Sequence, residues 1–413
     1  MAFFFGPLQM ISNTAVALFI VGLVSTEFPL LIALIFASRQ ILTVCLSIYG
    51  GALMDQFGMR RIIFLFSLIG AAIALIYPLL PSVFGLTWGI TAAQEISLWF
   101  IAVMVFLQMI FGYMEVTSWI GVQALVSQRF KGHPVFAGRM TFGARIGGIL
   151  GPPLFGLIWD SWGSWGGFGF ITCWTLCGAA VALLVPEDHG APTINLNITK
   201  TSTSRSPQVM PQVSDYAQTF RMLLVPAVAM VVMVTILRQT GSGVQSTFYV
   251  VWLDKELGLS GTLIGVLLGA MNTASALAAL SSGFWARHMG THWILIVTIG
   301  MSIIGVTVVP ALGNVYVLLM IVICIRGIGQ GLNLPMMITI LTRNVPGNLL
   351  GRVTAMRIAF NRGGGALVPL GMGALAELVG MANSFYIIGA TGLIMLAMLS
   401  LWVARSPDFQ PGM

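Results

Sequence analysis

Charge is what this sequence has least of. Only 8% of its 413 residues are Asp, Glu, Lys or Arg, and acids are scarcer than bases, 12 against 19. A soluble domain carries about 25% charged residues, so a chain wrapped in a water-facing surface is excluded. Alternation of apolar and polar residues is missing too. The apolar runs are continuous, which excludes a closed β-barrel. Cysteine is scarce. Cys45, Cys173, Cys177 and Cys324 lie inside apolar runs at no zinc-ligand or disulfide spacing, and they are expected to be small buried hydrophobes. No metal or cofactor motif is legible. The run Gly363-Gly364-Gly365 has neither a preceding strand nor a following lysine, so it is no phosphate loop. No ATP-binding motif and no catalytic constellation appears, and the chain is expected not to be an enzyme. No cleavable signal peptide is expected, because the first apolar run has no charged leader and continues into the bundle.

What is present is apolar length. The chain is 57% hydrophobic with a mean hydropathy of +0.95. A helix needs about 20 apolar residues to cross a bilayer. Twelve spans are expected, over 2–24, 29–53, 62–81, 97–126, 136–158, 166–185, 222–252, 260–285, 293–312, 315–341, 351–377 and 383–404. The fold class is therefore all-α integral membrane. Thirteen bases fall in the even-numbered connections and the C-terminal tail: Arg60, Arg61, Arg129, Lys131, Arg139, Lys200, Arg205, Arg221, Arg287, Arg343, Arg352, Arg357 and Arg405. The opposite loops hold Lys255 alone. This asymmetry places both termini in the cytoplasm, and a bacterial inner membrane is the expected location. The net charge of +7 is then a topology signal plus intramembrane arginine, not a nucleic-acid patch.

The second half repeats the first. An offset of 217 carries Arg145 onto Arg362, Gly147 and Gly148 onto Gly364 and Gly365, Pro152 onto Pro369, Gly156 onto Gly373, and Asp160 onto Glu377. The front of each half aligns at 232, which carries Gly51 onto Gly283, Gly58 onto Gly290, Gly6 onto Arg238 and Asn13 onto Gln245. The 15-residue difference fits a longer loop around 82–96. By the same offset the first helix begins several residues late. Either the native start lies upstream or this helix is short. The Thr-, Ser- and Pro-rich stretch 187–219 reads as a flexible cytoplasmic linker. It divides a first six-helix bundle, 1–186, from a second with a short tail, 220–413.

After the second span comes Gly51-Ala52-Leu53-Met54-Asp55-Gln56-Phe57-Gly58-Met59-Arg60-Arg61. It resembles the signature loop of the major facilitator superfamily. Gly51 permits close helix contact, Gly58 a tight turn, and Asp55 can pair with a basic group or helix N-terminus across the cytoplasmic seam. The copy at Gly283–Gly290 has Arg287 at the acidic position. In the fifth span, Gly138, Gly147, Gly151-Pro152 and Phe155-Gly156 resemble the glycine–proline signature of exporters and antiporters, with Phe155 where that pattern has glycine. Small residues at this spacing serve close helix packing. The position in the fourth span where many proton-coupled members carry arginine is Gln108. The resemblance covers essentially the whole chain. It implies two pseudo-symmetric bundles, a central cavity and alternating access by rocking.

Five arginines lie about ten or more residues from the ends of their spans: Arg39, Arg145, Arg238, Arg326 and Arg362. At 1.5 Å per residue that is near mid-bilayer, where a charge costs roughly 2.5–3.5 kcal/mol on insertion scales. Glu115 is the one acid at comparable depth. Arginine cannot shed its proton, so the excess must face water, carbonyls or an anion, and guanidinium suits carboxylate and phosphate. A pairing of Glu115 with Arg145 is one structural alternative. Asn13, Gln245 and Tyr249 join the arginines as candidate substrate contacts. Glu115 is the candidate coupling group. Gly51, Asp55, Gly58, Arg60, Arg61, Gly147, Gly151, Pro152 and Gly156 are the candidates for conformational switching.

The expected activity is gradient-driven secondary transport of a small organic anion, a carboxylate, by a monomer in the lipid bilayer. Protons or a counter-transported anion are the candidate coupling partners. Two alternatives stay open. One is proton-coupled efflux of amphipathic or cationic compounds through Glu115. The other is a non-transporting receptor or scaffold on the same fold.

Overall fold

The computed structural model describes residues 1–23, 29–86, 97–129, 134–184, 222–313, 315–345 and 347–406. The expected linker and most of the long loop at 82–96 lie outside them. Within the helix Pro29–Phe57, the surroundings of Gly51 and the side chain of Asp55 are not described. Among the described residues there is no strand.

Twelve rods, with a short helix Ser282–His288 between the eighth and ninth, account for most of the described chain. The first bundle holds α1 (Ala2–Leu23), α2 (Pro29–Phe57), α3 (Met59–Ile76, prolonged by a 3-10 turn and Leu80–Phe84) and α4 (Leu98–Arg129). It ends with α5 and α6, two parts of one helical stretch Pro134–Leu183 broken at Gly163. There φ is 59° and ψ is −147°, a conformation open to glycine and costly for other residues, so α5 runs over 134–162 and α6 over 164–183. Gly58, with φ of 87°, makes the equally sharp turn from α2 into α3, as its place in the motif predicts.

The second bundle begins with α7 (Pro226–Val244), which continues through a π turn, Gln245–Tyr249, into Val250–Lys255. It goes on with α8 (Gly261–Leu280), α9 (Thr291–Thr307), α10 (Tyr316–Asn344), α11 (Gly347–Val379) and α12 (Met381–Arg405). Nine helical stretches of the described residues are long and apolar enough to cross a membrane. One is the α5–α6 stretch, which Gly163 divides. Helix α9 is short but apolar. Helix α11 carries Arg352, Arg357, Arg362 and Glu377, so it is the most polar span.

The apolar core is not divided evenly with depth. On the face that carries the α1–α2, α7–α8 and α11–α12 connections, one cluster runs through both bundles. It joins Phe19, Ile32 and Phe168 of the first to Tyr249, Leu253, Ile264, Met372 and Phe385 of the second. Toward the face that carries the chain termini, the clusters separate. Val231, Ile299, Met337 and Leu399 belong to the second bundle alone, and Met54, Ile62, Phe66 and Tyr113 to the first alone. Among the described residues, the two bundles thus share a core at the first of these faces, the sealed face, and additional clusters belonging to one bundle alone lie toward the other. Stacked Tyr77 and Phe168, 4.8 Å apart, with Phe19 edge-on, make the aromatic centre of the first bundle.

The cysteines correct an expectation. Cys45, Cys173 and Cys177 are exposed on the protein surface, and Cys324 is half-buried. An apolar span offers one face to lipid, and a thiol is as compatible with hydrocarbon as with a protein core.

Candidate functional site

Arg39 of α2 is 2% exposed and forms an ion pair with Glu115 of α4. Its Nη2 also donates to Ser12 Oγ of α1 at 2.8 Å, and Nη1 donates to Gln108 Oε1 at 3.4 Å. Ser12 Oγ donates to Glu115 Oε2 at 2.9 Å, and the guanidinium carbon lies 5.2 Å from the centre of the Phe111 ring. Gly112 makes this possible. A Cβ there would strike the Arg39 side chain and carbonyl, so glycine on α4 lets α2 lie close enough for the arginine to reach the acid. Glu115 is therefore paired with Arg39 rather than Arg145. The reason is orientation: α5 turns its glycine face to α1, where Gly147 abuts the backbone of Phe3.

A second polar node sits where the bundles meet. Arg238 Nη2 on α7 donates to Asn361 Oδ1 on α11 at 2.6 Å. Gln239 Nε2 donates to the Asn361 carbonyl at 2.7 Å and to its side-chain oxygen at 2.9 Å. Arg362 Nη1 reaches across to Gln40 Oε1 of α2 at 3.3 Å. Gly364 abuts Gln239, and Gly365 lies beside both Gln40 and Gln239. A side chain at Gly364 would displace Gln239. Electrostatically, Arg238 lies within range of Arg357, Arg362 and Arg145, and Arg362 within range of Glu115 and Arg39. Arg145 is half-buried on α5. The repeat-related pair Arg145 and Arg362 thus share Arg238 as a neighbour, one from each bundle. Arg357, counted in sequence among the loop bases, lies inside α11 and belongs to this group.

Arg326 stands apart. It is 1% exposed inside the second bundle, and its Nη2 donates to the Gly241 carbonyl of α7 at 2.6 Å. It ties α10 to the backbone of α7. Gln245 and Tyr249 lie in the π turn and are buried, with Gln330 Nε2 donating to Gln245 Oε1 at 3.2 Å. Asn13 is buried on α1, and its Oδ1 has no hydrogen-bond partner.

The switching candidates divide into two groups. Gly147 and Gly151 face α1 within the first bundle, against Phe3 and Ile11. Gly156 faces the other bundle, where a Cβ would collide with the Gly261 backbone. Gly265 abuts the carbonyl of Pro152, and Gly269 abuts Pro153 and the carbonyl of Ile149. The seam between α5 and α8 is therefore close-packed, backbone against backbone at Gly156 and Gly265. Asp160 closes it, accepting hydrogen bonds from Gly261 N and Thr262 N at 2.7 Å each. These are unpaired donors of the first turn of α8. Gly373 of α11 sits in the same way against Pro29 and Ala33 of α2. Arg60 is half-buried and Arg61 exposed at the α3 start.

Sequence reasoning passed over Gln40, Asn361 and Ser12. Gln40 and Asn361 each adjoin an intramembrane arginine in sequence, which was the available signal. Asp160 was visible only as a repeat match to Glu377.

Comparison with known proteins agrees with this architecture. The family model described as Major Facilitator Superfamily matches twice, over residues 2–237 and 231–412. No curated protein is matched at a significant level. Among solved structures, the nucleoside transporter NupG is similar at a TM-score of 0.72 and 12% identity, over 97% of each chain. A D-xylose-proton symporter is similar at 0.70 and 16% identity, over 99% of this chain and 95% of that one. The inward open xylose transporter XylE from E. coli is similar at 0.68 and 15% identity, over 100% of this chain and 96% of the other. At these identities the likeness is one of fold. Two six-helix bundles and a family match over nearly the whole length lead to one conclusion: this chain is a membrane transporter protein of the major facilitator superfamily.

Proposed function

We propose that this protein carries small organic anions, carboxylates first, by alternating access driven by an existing gradient. The observation that carries the reading is the placement of Arg238 and Arg362 where the bundles meet, bonded among the described residues only to the neutral amides Asn361 and Gln40, with Arg145 and Arg357 within electrostatic range of Arg238. The nearby acid, Glu115, is already bonded to Arg39 and Ser12. Guanidinium planes offer paired donors that match a carboxylate. An anion held between α5 of one bundle and α7 and α11 of the other would couple occupancy to their relative motion. Glu115 remains the candidate proton-coupling group, because a bound anion and Glu115 compete for the same positive field.

The same ion pair weighs against cation efflux, since a carboxylate held by Arg39 attracts a cation poorly. The amides Gln40, Gln239 and Asn361 would suit a neutral hydroxylated solute, the substrate type in the names of the structural relatives. The boundaries at 186 and 220, the cytoplasmic termini, the bacterial inner membrane and the monomeric state belong to this proposal. Charge asymmetry makes the sealed face external, and labelling of Ser204→Cys by an impermeant reagent from outside intact cells would overturn that orientation.

The deciding experiment measures binding and liposome uptake of a carboxylate series by wild type, Arg145→Gln and Arg362→Lys, with folding checked by chromatography. Each variant should lose about tenfold to a hundredfold in affinity, the size of one charge-assisted bond. Folded variants that bind as wild type would make these arginines structural. Binding of cations or neutral sugars in place of anions would transfer the assignment to those classes. A protein that binds but moves nothing is a receptor.

A further inference from the structure

Resting on the anion-carrier reading, we infer that the natural substrate carries two negative charges, one met by Arg145 of the first bundle and the other by Arg238 and Arg362 of the second. A dicarboxylate and a phosphate monoester share this chemistry.

The argument is the disposition of charge and hydrogen bonds. Arg39 is neutralised by Glu115 and further held by Ser12 and Gln108. Among the described residues, the other guanidiniums of the group form no ion pair. Arg238 makes its side-chain bond to a neutral amide oxygen, and its Nε is buried with no hydrogen-bond partner. Arg362 likewise bonds a neutral amide, and that amide belongs to the opposite bundle. Arg357 and Arg145 add like charge within range of Arg238. Among the described residues, Glu115 is the one acid acting on this group, and it already holds Arg39.

One carboxylate would leave several half-buried guanidiniums repelling one another, with less screening than at a fully exposed surface. Two charges on one solute satisfy both sides. Their placement follows the protein: Arg145 is carried by α5, whereas Arg238 and Arg362 are carried by α7 and α11. A doubly charged solute therefore has its ends on different bundles, and a singly charged one can be held by either bundle alone.

The test uses the full-length protein in nanodiscs at fixed ionic strength. Titrants are succinate, monomethyl succinate and butyrate, then glycerol phosphate and glycerol. Succinate or glycerol phosphate should bind at least about tenfold more tightly than its singly charged or neutral counterpart, the effect of one further charge-assisted contact. Arg145→Gln should weaken the doubly charged member of a pair more than the singly charged one and bring the two to within about threefold, and Arg145→Lys should restore part of the preference. If the phosphate arm is the one preferred, affinity should rise between pH 5.5 and 7.5, as a phosphate monoester gains its second charge near pH 6. Succinate affinity should stay level over the upper part of that range. Equal affinity for succinate and monomethyl succinate, together with a glycerol phosphate affinity that does not change between pH 5.5 and 7.5, would overturn the two-charge inference while leaving the anion carrier intact. Failure of every anion to bind a folded wild type would overturn both.

Discussion

Asp160 offers the most direct test of how the bundles are held together. Its carboxylate accepts two hydrogen bonds of 2.7 Å from Gly261 N and Thr262 N. The next donor, Leu263 N, is served by Ser260 Oγ at 3.4 Å and Ile264 N by the Ser260 carbonyl at 3.0 Å. The first turn of α8 thus relies on the other bundle for two of its caps. When the seam opens, both must turn to water. Losing a cap costs about 0.5–2 kcal/mol, and a charge at an exposed helix N-terminus adds about 0.3–1 kcal/mol. Asp160 is solvent-exposed, so the lower parts of these ranges apply, together about 1–2 kcal/mol, or roughly a 5- to 30-fold change in the ratio of sealed to open molecules. The assay is the distance distribution between spin labels at Ser82→Cys and Glu256→Cys, one on each bundle at the sealed face. Asp160→Ala should add a long-distance population, and high salt should shift the wild type the same way. Gly265→Leu provides the converse control. It drives a side chain into the Pro152 carbonyl and should open the seam by overpacking, about 1–3 kcal/mol, whatever the salt. If Gly265→Leu lengthens the distances and Asp160→Ala leaves them at wild-type values, the carboxylate holds nothing shut.

Other variants address the buried arginines. Arg39→Met strands an ionised Glu115 and should destabilise the protein by about 3–5 kcal/mol, whereas Arg39→Met with Glu115→Leu should recover most of the melting temperature. Equal melting temperatures for the single and double variants would show that the pair is not coupled. Glu115→Gln should abolish accumulation driven by a pH gradient yet retain exchange, and unchanged accumulation would make Glu115 structural. Arg326→Met should keep substrate affinity within about threefold, because its one bond is to a backbone carbonyl within its own bundle, and Arg326→Ala should lose about 2–5 kcal/mol of stability through the cavity it leaves. A collapse of affinity in folded Arg326→Met would return that residue to the substrate site.

The twelve spans were legible because bilayer thickness sets their length and lipid demands that they be apolar. Gly58 and the α5 glycines were legible for a related reason: backbone turns and close approach require that residue. The arginines were visible because lipid makes them costly. Their partners were not. Depth along a helix can be counted in residues, but rotation about its axis decides whether Arg145 or Arg39 meets Glu115. That rotation depends on which helices neighbour α4, which no local pattern specifies. Gln40 and Asn361 were hidden because a lone amide in an apolar span is unremarkable until the opposite helix is in place. Arg357 was misassigned because a base near a span end reads equally as loop or helix.

The seam between α5 and α8 has a kinetic consequence. Interlocked side chains must change rotamer, or the backbone must bow, before two helices can part. Gly156, Gly261, Gly265 and Gly269 present no side chains to interlock. At Gly156 and Gly265 what separates is peptide backbone, and at Gly261 and Gly269 the Trp159 and Pro153 rings rest on glycine, so no pair of side chains has to disengage along these contacts or find its slot again on return. The barrier to parting at those contacts is then close to the free-energy difference itself, so the rate of opening should follow the strength of the fastener at the rim. A carrier assembled this way could be made faster or slower by a residue that never touches its cargo.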